Sequence, residues 1–488
     1  MIWALLGVPM AAGAAAFYVR PDGPRRLLLL AAALAHAVLT AAAWLSPSQP
    51  ALWGYLAMDA AGRLFLSVTS FLFLAAAAYA VGFLRSAGRA KEEEEAEGFL
   101  FDNAPEAVFT GCLLLFLGTM TMAALSQHFG LLWVAVEATT LASAPLIHFH
   151  RQRRSLEATW KYLLICSVGI ALALLGNFFL AVAAREHQDL LMTGPQLIAR
   201  ASQLDRTWLK AAFLLFLVGY GTKMGLAPLH TWLPDAHSEA PCVVSALLSG
   251  ALLNCAFLAL MRVNAVLAAA GLADFSGGLL RSFGLLSMAV AAAFVIGQAD
   301  FKRMLAYSSV EHMGVLAFGS GLGTGAGAAM LHAVNHSLAK AMLFLTAGNI
   351  LAAGRTKSVG EVRGLLRALP LSGALWLIGF LAISGSPPFG PFVSELWILK
   401  GALDGRQWAS ASLYVALLAV VFVGMATVVL KMSHGEPSDK FKTSAAEEDP
   451  WRLLPPVGLA AAVLALGLWV PRPLLEAVRD AAIVLGAR

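Results

Sequence analysis

Glu137, Lys223, His332, His336, Lys340 and Glu395 all fall inside long apolar runs of the sequence. A charged side chain near a bilayer centre costs at least about 2.5–3.5 kcal/mol on insertion scales, so such residues are rare and by default functional. At 1.5 Å per helical residue, Glu137 lies about 12 Å into its run and Lys223 about 22 Å into its own, so both approach the midplane. Buried apart, a carboxyl and an amine each tend to neutralise, whereas a close pair keeps both charged. Changing their separation would load or unload a proton, which makes the pair a proton switch. The other reading is a static ion pair that fixes two helices.

His332, His336 and Lys340 recur at i, i+4 and i+8 and therefore share one helical face. Such a stripe suits a water-linked relay, because imidazole accepts at one nitrogen and donates from the other. Interior hydrogen bonding is the alternative. Metal ligation is not expected, because no acidic residue accompanies the histidine pair as it does in H-E-x-x-H. The polar segment holding His230, Asp235, His237 and Glu239 joins two apolar runs. It fits the mouth of a proton path or a solvated cap equally well. Glu395 follows a Pro/Gly-rich break, with Lys400 at i+5. Glu395 is the better candidate, since the long stem of Lys400 can snorkel to a surface.

These residues must be positioned by membrane helices. Of 488 residues, 59% are apolar and 13% charged, against about 25% charged in an ordinary soluble domain. About fourteen stretches reach the roughly 20 apolar residues needed to cross hydrocarbon. The expected fold is an all-α polytopic membrane protein of about fourteen transmembrane helices, multi-pass in a bacterial or archaeal inner membrane. Two runs are interrupted by proline and glycine, Gly225 to Pro241 and Gly385 to Pro391. Paired broken helices point to a transport path between inverted repeats. The expected organisation is three N-terminal helices over 1–106, a first repeat over 107–269 and a second, inverted repeat over 270–432. A loop, a fourteenth helix and a short tail follow over 433–488. The acidic run after Lys91 reads as a solvated loop.

Lys and Arg are more numerous in the loops assigned to the inside when the N-terminus is placed in the periplasm. The net charge of +5 is thus an orientation signal, and no nucleic-acid partner is expected. The four cysteines, Cys112, Cys166, Cys242 and Cys255, lie in or beside apolar runs without C-x-x-C spacing and read as packing residues. No nucleotide, flavin, haem or iron–sulfur motif occurs, so no cofactor is expected in this chain and redox chemistry falls to partners.

The run Lys223-Met-Gly-Leu-Ala-Pro-Leu-His-Thr-Trp-Leu-Pro-Asp-Ala-His-Ser-Glu-Ala-Pro241, together with Asp300-Phe-Lys-Arg-Met-Leu-Ala-Tyr-Ser-Ser-Val310, resembles the antiporter-like subunits of respiratory complex I and of multisubunit sodium/proton antiporters. Val136-Glu-Ala-Thr-Thr-Leu141, Arg154-Ser-Leu-Glu-Ala-Thr-Trp-Lys-Tyr162, Ser249-Gly-Ala-Leu-Leu-Asn-Cys255 and Asn335-His-Ser-Leu-Ala-Lys340 look most like the membrane subunit of group 4 NiFe hydrogenases, of hydrogenase-4 and formate hydrogenlyase type. The resemblance runs from about residue 60 to 470. It implies fourteen helices with two inverted five-helix repeats and a switching pair of Glu137 and Lys223. It places His332, His336 and Lys340 on a central polar axis and makes Glu395 the outer acid. Asn254 stands where complex I members commonly carry Lys or His, so the bridge there would run through water or neighbouring residues. The implied function is proton translocation, without catalysis by this chain, in a redox-driven complex. Its expected partners are other antiporter-like and small membrane subunits, lipid and a soluble arm carrying NiFe and iron–sulfur centres or using quinone. The alternative is a subunit of a sodium/proton antiporter without redox partners.

Overall fold

The computed structural model describes residues 1–46, 48–95, 105–186, 190–438, 441 and 449–487. In order, the helices are α1 (Ile2–Tyr18), α2 (Asp22–Leu45), α3 (Ala60–Glu95), α4 (Glu106–Leu125), α5 (Phe129–Ile147), α6 (Arg153–Ala183), α7 (Gly194–Ala199), α8 (Arg206–Met224) and α9 (Trp232–Glu239). There follow α10 (Cys242–Leu247), α11 (Leu253–Ala269), α12 (Ala273–Val295), α13 (Phe301–Ser320), α14 (Ala326–Gly354), α15 (Leu365–Ala368), α16 (Pro370–Ile383), α17 (Gly390–Asp404) and α18 (Trp408–Ser433). Pro450–Leu468 and Arg472–Val484 complete the chain. Among the described residues, pairing of strand type is confined to isolated bridges such as Leu56 with Ser126.

Ten helices among the described residues are long and apolar enough to cross a membrane, and α1 and α16 are shorter apolar helices. A helix satisfies its own backbone polar groups, which hydrocarbon cannot do. The chain is therefore a polytopic membrane protein of α-helices. Two expectations change in detail. The backbone of α3 stays helical through Glu95, so the run after Lys91 is not a loop; Ala, Lys and Glu are good helix formers and carry the span onward. The C-terminal tail folds as the helix Arg472–Val484, which buries Ala477, Val478, Ala481 and Ala482 along one stripe.

Small residues set the closest helix crossings. A Cβ on Gly219 of α8 would stand 2.7 Å from the Gly169 carbonyl of α6, and one on Gly284 of α12 would stand 2.6 Å from the Gly314 carbonyl of α13. Backbones meet this closely only where side chains are absent. The first crossing seats the turn of α8 that carries Lys223, and the second seats α13 just beyond residues 311 and 312.

Both proline-rich segments are broken helices. α8 ends at Gly225, which takes a left-handed conformation at φ 86°, and a Cβ there would stand 2.6 Å from Leu233. The chain turns through Leu226–Thr231 before α9 begins. α16 likewise ends just before Gly385, at φ 66°, and α17 starts at Gly390. Each break contains one cis X-Pro bond, Ala227-Pro228 and Pro387-Pro388. Between α10 and α11 a π-helical turn, Leu248–Leu252, interrupts a fully buried span; such bulges frequently occur at functional sites.

Candidate functional site

The C-terminal turn of α8 aims Lys223 at α5 and α6. Its ammonium is fully buried and donates to the Thr140 hydroxyl at 2.8 Å and the Tyr162 hydroxyl at 2.7 Å. It also sits 4.5 Å from the centre of the Tyr162 ring. Thr140 in turn donates to Glu137 at 3.2 Å, and Ser167 donates to the other carboxylate oxygen at 2.9 Å. Among the described residues, then, Glu137 and Lys223 are joined through Thr140 rather than by a direct salt bridge.

The second group gathers on α13, α14 and α17. His332, His336 and Lys340 all face the interior, each fully buried. Lys340 donates to the Leu305 carbonyl of α13 at 2.8 Å. His332 approaches His312 of α13, Nε2 to Nδ1, at 3.0 Å, and its other nitrogen meets Ser394 Oγ at 3.0 Å. Glu395 Oε1 stands 3.9 Å from His312 Nδ1, while Glu311 Oε2 stands 3.9 Å from His312 Nε2. The His336 ring lies 5.3 Å from that of His312. His312 thus stands between two carboxyl groups and against two other imidazoles.

Glu311 and His312 were not singled out from the sequence. The signal was present, because two adjacent ionisable residues inside the apolar stretch of α13 satisfy the same rule that found Lys223. Thr140, Tyr162 and Ser394 carried no such signal: a hydroxyl is ordinary in a membrane helix until packing brings it to a charge.

The segment His230 to Glu239 is mostly helical, as α9, and most of it is buried. Asp235 bridges Lys161 at 3.1 Å and Arg303 at 2.9 Å. Glu239 pairs with Lys357 at 2.6 Å, and Lys302 donates to the Ser238 carbonyl at 3.1 Å. His230 and His237 lie deeper, with His237 fully buried and stacked 4.9 Å from Phe344. Neither nitrogen of His237 has a protein hydrogen-bond partner among the described residues, and the same holds for His336.

Between the two groups, Asn254 donates to Gly250 and to Ser337, the latter at 2.7 Å, while its carbonyl oxygen has no partner among the described residues. Ser249 of the π-turn meets Ser309 of α13 at 2.8 Å. Among the described residues no direct hydrogen bond links the Lys223 group to the Lys340 group. Lys400 is largely exposed and pairs with Asp404, apart from both. The four cysteines are free and buried.

Residues 126–422, more than half of the chain, match the family described as "NADH:quinone oxidoreductase/Mrp antiporter, TM". The sequence is 37% identical over 376 residues to the hydrogenase-4 component F homolog of Methylacidiphilum infernorum (isolate V4), covering 75% of this chain and 77% of that one. Some other relatives are longer, and the chain spans about half of their length. In fold it is similar to a chain of the Mrp complex from Dietzia sp. DQ12-45-1b, with a TM-score of 0.84 at 22% identity over 99% of this chain and 97% of that one. It is also similar to a chain of respiratory complex I from Thermus thermophilus with bound NADH, with a TM-score of 0.82 at 23% identity over the full length of both. With a matched family and a relative of this closeness, the chain belongs to the transmembrane family of NADH:quinone oxidoreductases and Mrp antiporters.

Proposed function

We propose that the chain is a proton-translocating membrane subunit of a redox-driven complex of hydrogenase-4 or complex I kind. The observation that carries this reading is the succession of ionisable and hydroxyl groups, from half-buried Glu137 through fully buried Lys223 and Lys340 to buried Glu395, inside an apolar bundle. Placing such groups in a membrane interior is costly, and a purely structural bundle would have no use for them.

Glu137, Thr140 and Lys223 act as the switch. A proton on Lys223 is held by oxygen partners, and small displacements of α5 against α8 change how well the Thr140 bridge stabilises it. Lys340 and His336 form the central relay, and His312, His332 and Glu395 form its outer end. Buried polar groups find partners, so the unpartnered nitrogens of His237 and His336 and the free oxygen of Asn254 are served by water, which also carries the proton between the two groups. His237, behind the ion pairs of Asp235 and Glu239, is the inner mouth.

The architecture that goes with this reading adds α1, α8 with α9, α13, and α16 with α17 to the ten spans, giving about fourteen. It keeps the two inverted repeats over 107–269 and 270–432. The N-terminus lies in the periplasm of a bacterial or archaeal cell, so α9 faces the cytoplasm. The chain performs no catalysis; NiFe and iron–sulfur centres or quinone belong to a soluble arm, and other antiporter-like and small membrane subunits flank it.

The second reading, a subunit of a sodium/proton antiporter without redox partners, is favoured by the fold likeness to the Mrp complex chain over nearly its whole length. Purification of the complex from its native membrane separates the two. A co-purifying NiFe-type large subunit or other iron–sulfur subunit is expected. A complex made only of membrane subunits would replace the redox reading with the antiporter one.

A further inference from the structure

The histidine pair at 332 and 336 lacks an acidic companion in its own helix, which argued against a metal. The fold supplies the companion from elsewhere. His312, His332 and Glu395 come from α13, α14 and α17, and one ligand atom from each, a ring nitrogen or a carboxylate oxygen, lies within 4.8 Å of the others. Two of the separations are 3.0 Å, between the imidazole nitrogens, and 3.9 Å, from His312 to Glu395 Oε1. A tetrahedral zinc ion with bonds of about 2.0–2.2 Å sets its ligand atoms about 3.3 Å apart. Glu395 Oε1 is buried and has no hydrogen-bond partner among the described residues.

We propose that His312, His332 and Glu395 form a binding site for a divalent transition-metal ion of the zinc kind, with the fourth position left to water, and that a bound ion blocks the outer end of the path. Two imidazoles and one carboxylate match zinc and copper far better than magnesium or calcium, which take oxygen ligands.

The surroundings orient the donors. With the Ser394 proton on the Pro391 carbonyl at 3.0 Å, Ser394 Oγ accepts from His332 Nδ1 at 3.0 Å. That assigns the proton of His332 to Nδ1 and leaves the Nε2 lone pair facing His312. At metal sites an imidazole is usually held in place by a hydrogen bond from its far nitrogen. Without metal, His312 donates from Nδ1 to that lone pair. On binding, the His312 proton moves from Nδ1 to Nε2, which faces Glu311 at 3.9 Å. His312 stays neutral, and Glu395 binds as the carboxylate, releasing its proton if it carried one. The lone pairs that would relay a proton are then held by the ion. The block rests on the proton-path reading, whereas the binding does not.

The test titrates the chelator-stripped, purified whole complex with Zn²⁺ against a chromophoric competitor. Wild type is expected to bind one ion more per copy of this chain than His332→Gln. X-ray absorption of the wild-type site is expected to report nitrogen and oxygen neighbours at about 2.0–2.2 Å. Ser394→Ala is expected to keep the site and weaken it about 10- to 100-fold, which keeps the proposal testable if His332→Gln fails to assemble. Equal numbers and affinities of sites in wild type, His332→Gln and Ser394→Ala would overturn it, as would a sulfur-dominated absorption spectrum. Proton uptake is measured in the same samples: full uptake with the ion bound would overturn the block and leave the binding site standing.

Discussion

Among the described residues, Lys223 reaches Glu137 through Thr140: the ammonium donates across 2.8 Å to the hydroxyl, which donates across 3.2 Å to the carboxylate. A hydrogen bond to a charged group contributes about 1.5–3 kcal/mol, and about 1.4 kcal/mol is tenfold in an equilibrium constant. Thr140→Val is therefore expected to slow proton uptake by the reconstituted complex about tenfold or more with assembly intact. Lys223→Ala is expected to abolish uptake, and Glu137→Gln to act more gently. Loss of assembled complex in all three variants would instead make the contact a structural pair.

Gly385 closes the second break with its α-carbon against the Glu395 carboxylate, and a Cβ there would overlap that group. Its φ of 66° is also one that other residues adopt only under strain. Gly385→Ala is expected to push Glu395 out of reach of His312 and reduce uptake as far as Glu395→Gln does. Wild-type uptake in Gly385→Ala would remove Glu395 from the path.

Asn254 exchanges no proton near neutral pH, and its carbonyl oxygen meets no donor among the described residues. A high-resolution map of the native complex is expected to show ordered water at this oxygen and toward Ser249 and Ser309. Close-packed apolar side chains with no water along this interval would leave two unconnected half-paths.

Acid is expected to loosen the start of α5. His128 caps that helix by accepting from the Gly130 and Leu131 amides, at 3.1 and 3.3 Å. Burial holds the imidazole below its usual value, so the folded state prefers the neutral, accepting form. For a histidine depressed in the folded state, the unfolded chain binds more protons, so the cap's contribution is present above the unfolded value of about 6.5 and declines as pH falls below it. Protection against hydrogen exchange at Phe129–Leu132, taken relative to the intrinsic rate at each pH, should therefore fall between pH 7.5 and 5.5. His128→Asn, which caps without titrating, should flatten that response. An unchanged pH profile in the variant would show that His128 is not its source.

Much of this was legible in the sequence. Apolar length gave the helices, paired Pro/Gly segments gave both breaks, and the rarity of charge in such runs singled out Lys223, Lys340 and Glu395. The helical stripe of His332, His336 and Lys340 followed from spacing alone. What spacing cannot give is contact across helices. Thr140 between Glu137 and Lys223, Ser394 behind His332, and Glu395 beside His312 arise from packing between helices distant in the chain. The metal argument shows the same limit, since an acid five dozen residues away replaced the one missing from the histidine helix. Glu311 and His312 differ, because the rule that found the others applied to them as well.

The transported ion decides the account. A sodium site needs several converging oxygen ligands, by analogy with other hard cations, whereas the buried groups here are largely nitrogen: Lys223, Lys340, His312, His332 and His336. The most direct measurement follows proton uptake by the reconstituted native complex with a pH-sensitive dye in sodium-free buffer. Uptake at the full rate, collapsed by a protonophore and absent in Lys223→Ala, is expected. Activity that requires added Na⁺, with a gradient untouched by the protonophore, would contradict proton translocation through this chain.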